Sequence, residues 1–417
     1  MAVAVGKRWE TLALGNLAEF RNGINYNKNN FGRGIKVINV KDFQDYSIAS
    51  FKNLDEVNLS GVIKEKDLLR AGDIIFVRSN GNRELIGRSL FIKNIQELVT
   101  HSAFTIKLRF TSNQVIPRFY AYLFRSSLMR QTFSAHGNGT NISNLNQGIL
   151  SNLEVPLPPL PIQRKIAAIL SAYDDLIENN TRRIEILEEM ARSIYREWFV
   201  KFRFPGHEQV QMVDSELGLI PEGWEVRNLS EICEIIMGLS PKSEFYNENA
   251  EGLPLHQGVT NFGVWFPTDK VYTTAITRLA QTGDILFSVR APVGRINIAN
   301  KTIVIGRGIC AIRSKTGKQN FVLQQLRDKF YEDNLMGGGT IYPSVTKEEV
   351  QKIKMLVPFP ENILAFESQS LPIFRQIKVF LLKNRNLCQT RDLLLPKLIS
   401  GEIAVENLDI NTGEIAA

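Results

Sequence analysis

The chain has 417 residues, 44% hydrophobic and 22% charged, which is enough material for two separate hydrophobic cores. A formal charge of +7 and a pI near 9.2 suit a polyanionic partner, because lysine and arginine neutralising phosphate supply most nonspecific nucleic-acid affinity. No apolar run reaches the ~18 residues of a membrane span, Met1–Val5 lacks the charged start and apolar length of a secretory leader, and Cys233, Cys310 and Cys388 lie far apart without CxxC spacing. The expectation is a cytoplasmic protein with no membrane association, disulfide framework or zinc site.

In chain order, a first globular stretch opens on Trp9-Glu10, followed by Leu14, Leu17, Glu19 and Gly23. Gly72-Asp73 turns into Ile74-Ile75-Phe76, a buried strand, which breaks into the polar loop Arg78-Ser79-Asn80-Gly81-Asn82-Arg83 and then Gly87-Arg88. Phe104 to Phe110 alternates apolar and polar, the pattern of a half-buried strand. Phe119, Tyr122, Leu123 and Met129 indicate one amphipathic helix. A glycine and amide loop follows, from His136 through Asn138, Thr140 and Asn141 to Gln147, and ends at Val155-Pro156-Leu157-Pro158.

From there Ile166, Leu170, Tyr173, Ile177, Asn180, Ile184, Leu187, Ala191, Ile194 and Trp198 recur in alternating steps of four and three. Such a heptad seam requires a partner helix. Glu178, Arg182, Glu188 and Arg192 supply opposite charges one turn apart on the outer face, to which Asp174 and Asp175 are also assigned. Pro205-Gly206 ends the segment.

The same order of landmarks then returns: Trp224-Glu225 with Leu229, Ile232, Glu234 and Gly238, then Gly283-Asp284 with Ile285-Leu286-Phe287, then Gly294-Arg295. One helix is marked by Phe321, Val322, Leu326 and Phe330, a glycine loop carries Thr340 and Tyr342, and Val357-Pro358 precedes a second seam. That seam reads Ile373, Ile377, Phe380, Asn384, Leu387, Arg391, Leu394 and Leu398, with Pro396 disturbing its last turn. Internal repetition outranks single motifs because it fixes the architecture: two α/β (α+β) modules, each followed by a long helix. If the halves obey a pseudo-twofold, the helices run antiparallel. About 37 residues at ~1.5 Å each span roughly 55 Å, the length of about sixteen base pairs at ~3.4 Å. Asn180 and Asn384, polar at core positions, either fix the register or point to solvent.

Arginine matches guanine O6 and N7, and Asn or Gln can bridge adenine N6 and N7. Loops carrying these side chains at strand ends are candidate base readers: Arg78, Asn80, Asn82 and Arg83 in the first half, Arg290 and Arg295 in the second. Asn138, Thr140, Asn141, Thr340 and Tyr342 are candidate loop-tip contacts. No phosphate loop, HExxH, Gly-x-Ser-x-Gly elbow or Asn/Asp-Pro-Pro-aromatic signature occurs, and His101, His136, His207 and His256 have no ligand spacing. Neither catalysis nor a metal or cofactor is expected in this chain.

Three stretches resemble the specificity subunits of type I restriction-modification systems: Pro158-Pro159-Leu160-Pro161-Ile162-Gln163-Arg164-Lys165, Ala191 to Val200, and Ser215-Glu216-Leu217-Gly218 up to Trp224, with Leu393 to Ile403 matching the family's distal end. Glu361 to Glu367 depart from the proline-rich lead-in of the first copy. The resemblance implies target recognition domains at 1–157 and 222–360, a central helix at 158–204, a linker at 205–221, a distal helix at 361–405 and a tail at 406–417. It implies double-stranded DNA read as a bipartite site with a helical spacer ruler. It also implies two modification (methyltransferase) subunits using S-adenosylmethionine, and restriction subunits using ATP and magnesium. A stand-alone DNA-binding regulator and a coiled-coil adaptor are the other classes the chain admits.

Overall fold

The structure, a computed structural model, describes residues 9–43, 47–58, 63–82, 85–135, 144–330 and 344–413. It divides into two compact units, Met1–Asn180 with Lys383–Ala417, and Thr181–Leu382.

In the first unit an antiparallel sheet orders Ala18–Asn22, Thr105–Phe110, Ile74–Val77 and Ser89–Phe91. A second sheet orders Asp55–Val57, Phe31–Ile38 and Val99–His101, the last two parallel. The Gly-Asp turn has a structural explanation. Gly72 takes a φ of +90° that suits glycine, and Asp73, 1% exposed, accepts from the Arg70 backbone N–H and from Arg109 Nε and Nη2, each at 2.7 Å. Thr105, Ile106, Lys107 and Leu108 are all buried, so this is not a half-buried strand. Ile106 and Leu108 enter the core that includes Phe119 and Phe124, while Lys107 pairs in register with Ile75, on the face packed against the second sheet. Lys107 Nζ is satisfied there by the carbonyls of Lys66 and Leu68. The single expected helix is two, Pro117–Arg125 and Ser127–Ala135, with Met129 on the second.

The second unit repeats the plan. Its four-stranded sheet orders Cys233–Met237, Ile309–Ser314, Ile285–Ser288 and Ile296–Ile298. In the adjoining five-stranded sheet, Leu253–His256 lies parallel to Ile303–Ile305. Asp284 grips Arg313 Nε and Nη2 at 2.7 Å, as Asp73 grips Arg109. Residues 205–221, expected as a linker, include a hairpin of Met212–Ser215 and Gly218–Pro221.

Two long helices, Leu160–Tyr195 and Pro360–Ile399, supply the remaining core. In the first unit Ile166, Ala167 and Leu170 share a buried cluster with Leu395, Leu398 and Ile399. In the second, Ile184 and Ala191 join Ile373 and Ile377, with Leu187, Ile194 and Phe380 packed alongside. The helices run antiparallel within each unit: Asn180 Nδ2 donates to Asn384 Oδ1 at 2.8 Å and Arg391 Nη1 to Asp174 Oδ1 at 2.6 Å in the first, while Arg183 lies over Phe380 and Tyr195 meets Phe366 in the second. Tyr173, Ile177, Leu387 and Leu394 are half-buried along the seam. The two seam asparagines therefore pair with each other instead of facing solvent.

One expectation of the helix faces needs correction. Asp174 is 7% exposed, held by Arg391 and by Tyr122 Oη at 2.6 Å, so it is not part of a solvated face. The second helix starts at Pro360, and its buried side extends back from Ile373 through Ser370 and Phe366, both 0% exposed. Pro396 lies in the last turn, the helix runs on to Ile399, and the proline carbonyl accepts from Ser400 N–H.

Asn384→Ala should destabilise the first unit by about 1–3 kcal/mol, because it strands the buried Asn180 amide. Replacing both asparagines with leucine should raise the urea midpoint. Equal midpoints for the single and double variants would show the pair to be inert. Asp284→Ala should cost about 1–3 kcal/mol in thermal or urea unfolding, since it removes the acceptor of Arg313 and of the Gln281 N–H.

Candidate nucleic-acid interface

The strand Ile74–Val77 ends in Arg78 and Ser79, whose backbone N–H groups both donate to the Phe104 carbonyl. Leu145 N–H donates to the Arg78 carbonyl at 2.8 Å, and Ser79 forms an antiparallel bridge with Asn144. The basic loop is thereby tied to the far end of the glycine and amide loop, two segments far apart in sequence. Asn80 Oδ1 accepts from the Asn82 N–H at 2.8 Å, which closes a side-chain turn at the loop start. Asn80 and Ser79 border a groove of about 430 Å³, together with Asn39, Lys41 and Phe104. Sequence reasoning missed those last three, because they come from a different part of the chain.

In the second unit Val345 N–H donates to the Val289 carbonyl and Arg290 bridges Ser344. This register aligns Arg290 with Ser79, and Val289 with Arg78. The apparent match between Arg78 and Arg290 is one residue out of step, and a one-residue slip in an extended segment sends the side chain to the opposite face. The counterpart of Arg295 is Arg88: Val77 N–H donates to the Arg88 carbonyl, and Ser288 N–H to that of Arg295. Arg290 is exposed. It precedes a cis Ala291–Pro292 bond. Arg83, Asn138, Thr140, Asn141, Thr340, Tyr342 and His136 lie outside the described residues.

Arg295 sits apart from Arg290, lining a cavity of about 340 Å³ with Glu188, Arg192, Arg196, Gln324, Arg327 and Asp328. Here the module grips its helix. Arg327 lies 4.0 Å above the Trp265 ring, Trp265 Nε1 donates to Glu188, and Glu188 stands 3.8 Å from Arg327. Burial pulls the Arg327 guanidinium down to about 10 and pushes the Glu188 carboxyl up, opposed by their mutual attraction. In the first unit the helix carboxylate is Asp174, and burial followed by the charge of Arg391 lowers Arg125.

The described histidines have structural partners: His101 Nδ1 with Thr105 at 2.8 Å, His207 Nδ1 with the Phe204 carbonyl at 2.9 Å, and His256 Nε2 with Asp269 at 3.0 Å. Burial holds His101 near 3, neutral at physiological pH. It also pushes the Cys233 and Cys310 thiols up to about 12, which suppresses thiolate chemistry. Among the described residues no group of three or more His, Cys, Asp or Glu could hold a metal ion, and no helix is long and apolar enough to cross a membrane.

Residues 6–189 and 221–363 match the type I restriction modification DNA specificity domain. The type I restriction enzyme MjaX specificity subunit of Methanocaldococcus jannaschii is 31% identical over 408 residues, covering 95% of this chain and 94% of that relative. The HindI specificity subunit of Haemophilus influenzae is 23% identical over 410 residues, with coverage of 81% and 88%. In fold, the chain is similar to the type I restriction-modification system S subunit from M. genitalium, with a TM-score of 0.55 at 16% identity and coverage of 95% and 98%.

Trp265→Phe, which removes the indole donor to Glu188 and part of the buried ring beneath Arg327, should lower the urea midpoint of the second unit, a loss of about 1–3 kcal/mol. A midpoint within error of the parent would show that the indole contact contributes nothing to docking.

Proposed function

The chain belongs to the type I restriction-modification DNA specificity family, and on that premise we propose that each module of this specificity subunit reads one half of a bipartite, asymmetric site in double-stranded DNA. The observation that carries this reading is the recurrence, in each unit, of a polar strand-end loop bonded to the segment just before a long helix. A rigid sheet edge with exchangeable side chains suits base readout, whereas phosphate contacts alone would set position without sequence. Base or groove contacts are assigned to Asn80, Asn82, Arg83 and Arg290, with Asn138, Thr140, Asn141, Thr340 and Tyr342 at the loop tips, whereas Arg295 lines the cavity against the helix and Arg78 is one residue out of register with Arg290. The long helices set the length of the unread spacer.

The partners in this reading are two modification subunits, which carry S-adenosylmethionine and flip the target adenine, and restriction subunits that use ATP and magnesium. The chain itself supplies the address, and the chemistry belongs to those partners.

Co-expression with the modification subunit, followed by mapping of methylated adenines, should give a split motif with a fixed gap. No complex and no methylation would favour a solitary DNA binder or adaptor. Arg290→Ala should relax one base in one half and cost about 1–3 kcal/mol of binding, and an unchanged motif would remove Arg290 from the assignment. Inserting one heptad into each long helix adds roughly 10 Å, so the gap should grow by about three base pairs. An unaltered gap would reject the ruler.

A further inference from the structure

The equivalence between the units extends beyond the basic loop, and it exposes residues that no sequence motif marks. In both units the polar loop lies beside the end of a parallel strand pair. Ile38 pairs with His101 and His256 with Ile305, and Ser102 N–H donates to the Ile38 carbonyl as Gly306 N–H donates to that of His256. Arg78 N–H then donates to the Phe104 carbonyl, as Val289 N–H does to that of Gly308. These bonds align Asn39 with Gln257, Ala103 with Arg307, and Phe104 with Gly308.

In the second unit they form one continuous row. Gly308 N–H donates to the Gln257 carbonyl, the Gly308 carbonyl accepts from Val289, and the Val289 carbonyl accepts from Val345. Four segments at a strand spacing of ~4.8 Å make a row roughly 14 Å wide, close to the ~12 Å of a DNA major groove. Its exposed side chains are Gln257, Arg307, Arg290 and Ser344. Arg290 and Arg307 form no ion pair among the described residues. Ser240 Oγ donates to Gln257 Oε1 at 3.1 Å, orienting the carboxamide and leaving its two N–H donors without a partner among those residues. Gly308 permits the close approach, because a Cβ there would sit 2.3 Å from the Gln257 carbonyl.

The first unit offers different chemistry at the same places. Asn39, the counterpart of Gln257, is engaged internally, accepting from Tyr26 Oη and donating to Asp55. Phe104 instead stands 62% exposed, an aromatic ring at the edge of the groove shared with Lys41 and Asn80.

We propose that Arg307 and Gln257 in the second unit and Phe104 in the first are specificity-determining residues: Arg307 reads a guanine, Gln257 an adenine, and Phe104 packs on a thymine methyl. This rests on the bipartite reading above and adds to it three positions outside the two repeated loops. Arginine to guanine and glutamine to adenine are bidentate pairings, and an apolar side chain discriminates thymine by its methyl.

The test is methylation mapping and salt-dependent DNA binding by the assembled complex carrying Arg307→Ala, Arg307→Lys, Gln257→Ala or Phe104→Ala, with Lys270→Ala as an exposed control. Arg307→Ala and Gln257→Ala should each relax one position of the second half only, reducing discrimination there roughly 5- to 150-fold. Phe104→Ala should relax the first half only, and Lys270→Ala neither. Arg307→Lys keeps the charge but not the fork, so it should also lose discrimination. An unchanged split motif in all three alanine variants would overturn this assignment while leaving the bipartite reading intact. Uniform weakening across sequences with a shallower salt slope in Arg307→Ala would make Arg307 a phosphate contact and overturn its role. A parent complex that yields no split motif would overturn both readings.

Discussion

The apolar seam between the two long helices is the constraint on which the rest of the structure depends, because in each unit it forms part of the module's own core. Ile166 and Leu170 pack in one buried cluster with Phe119, Phe124 and Leu398. Ile184 and Ile377 do the same with Phe287 and Leu326. Neither sheet can complete its hydrophobic cluster without helix residues that lie far away in sequence, so helix register and module folding are a single problem. The amide pair Asn180–Asn384 adds a directional requirement that apolar contacts lack. A slide along the seam would place a buried amide against hydrocarbon, which costs more than the pair contributes.

Buried charge performs a second kind of positioning. Asp73 and Asp284, almost fully buried, each cap a glycine turn and hold an arginine on the adjacent strand with two bonds. Such pairs contribute little net stability, but their geometry is exacting. They hold the strand from which each polar loop departs. Arg327 between Trp265 and Glu188 fixes the second module to its helix in a similar way. The repeated Gly-Asp signal therefore marks scaffolding.

A fixed backbone with variable side chains follows from this arrangement. The hydrogen bonds that align Phe104 with Gly308, and Asn39 with Gln257, are made by main-chain atoms, while the additional bond from Gly308 N–H to the Gln257 carbonyl needs glycine at that place. Exchanging the exposed side chains of such a row, Gly308 apart, changes the chemistry presented while the strand pairing is kept. Two modules of one chain can therefore share a frame and carry unlike surfaces.

The sequence by itself determined the twofold repeat, the existence of both long helices and the buried stripe on each, because heptad spacing and Gly-Asp turns are local signals whose period survives without coordinates. It also named Asn180 and Asn384 as polar seam positions. Only the tertiary structure decided that they pair with each other, that Asp174 is buried against Arg391 and Tyr122, and that Arg290 aligns with Ser79 and not with Arg78. Gln257, Arg307 and Phe104 stayed invisible for the same reason. Each is brought to the loop by pairing between strands distant in the chain, and such pairing is set by backbone hydrogen bonds that leave no periodicity in the residues they join.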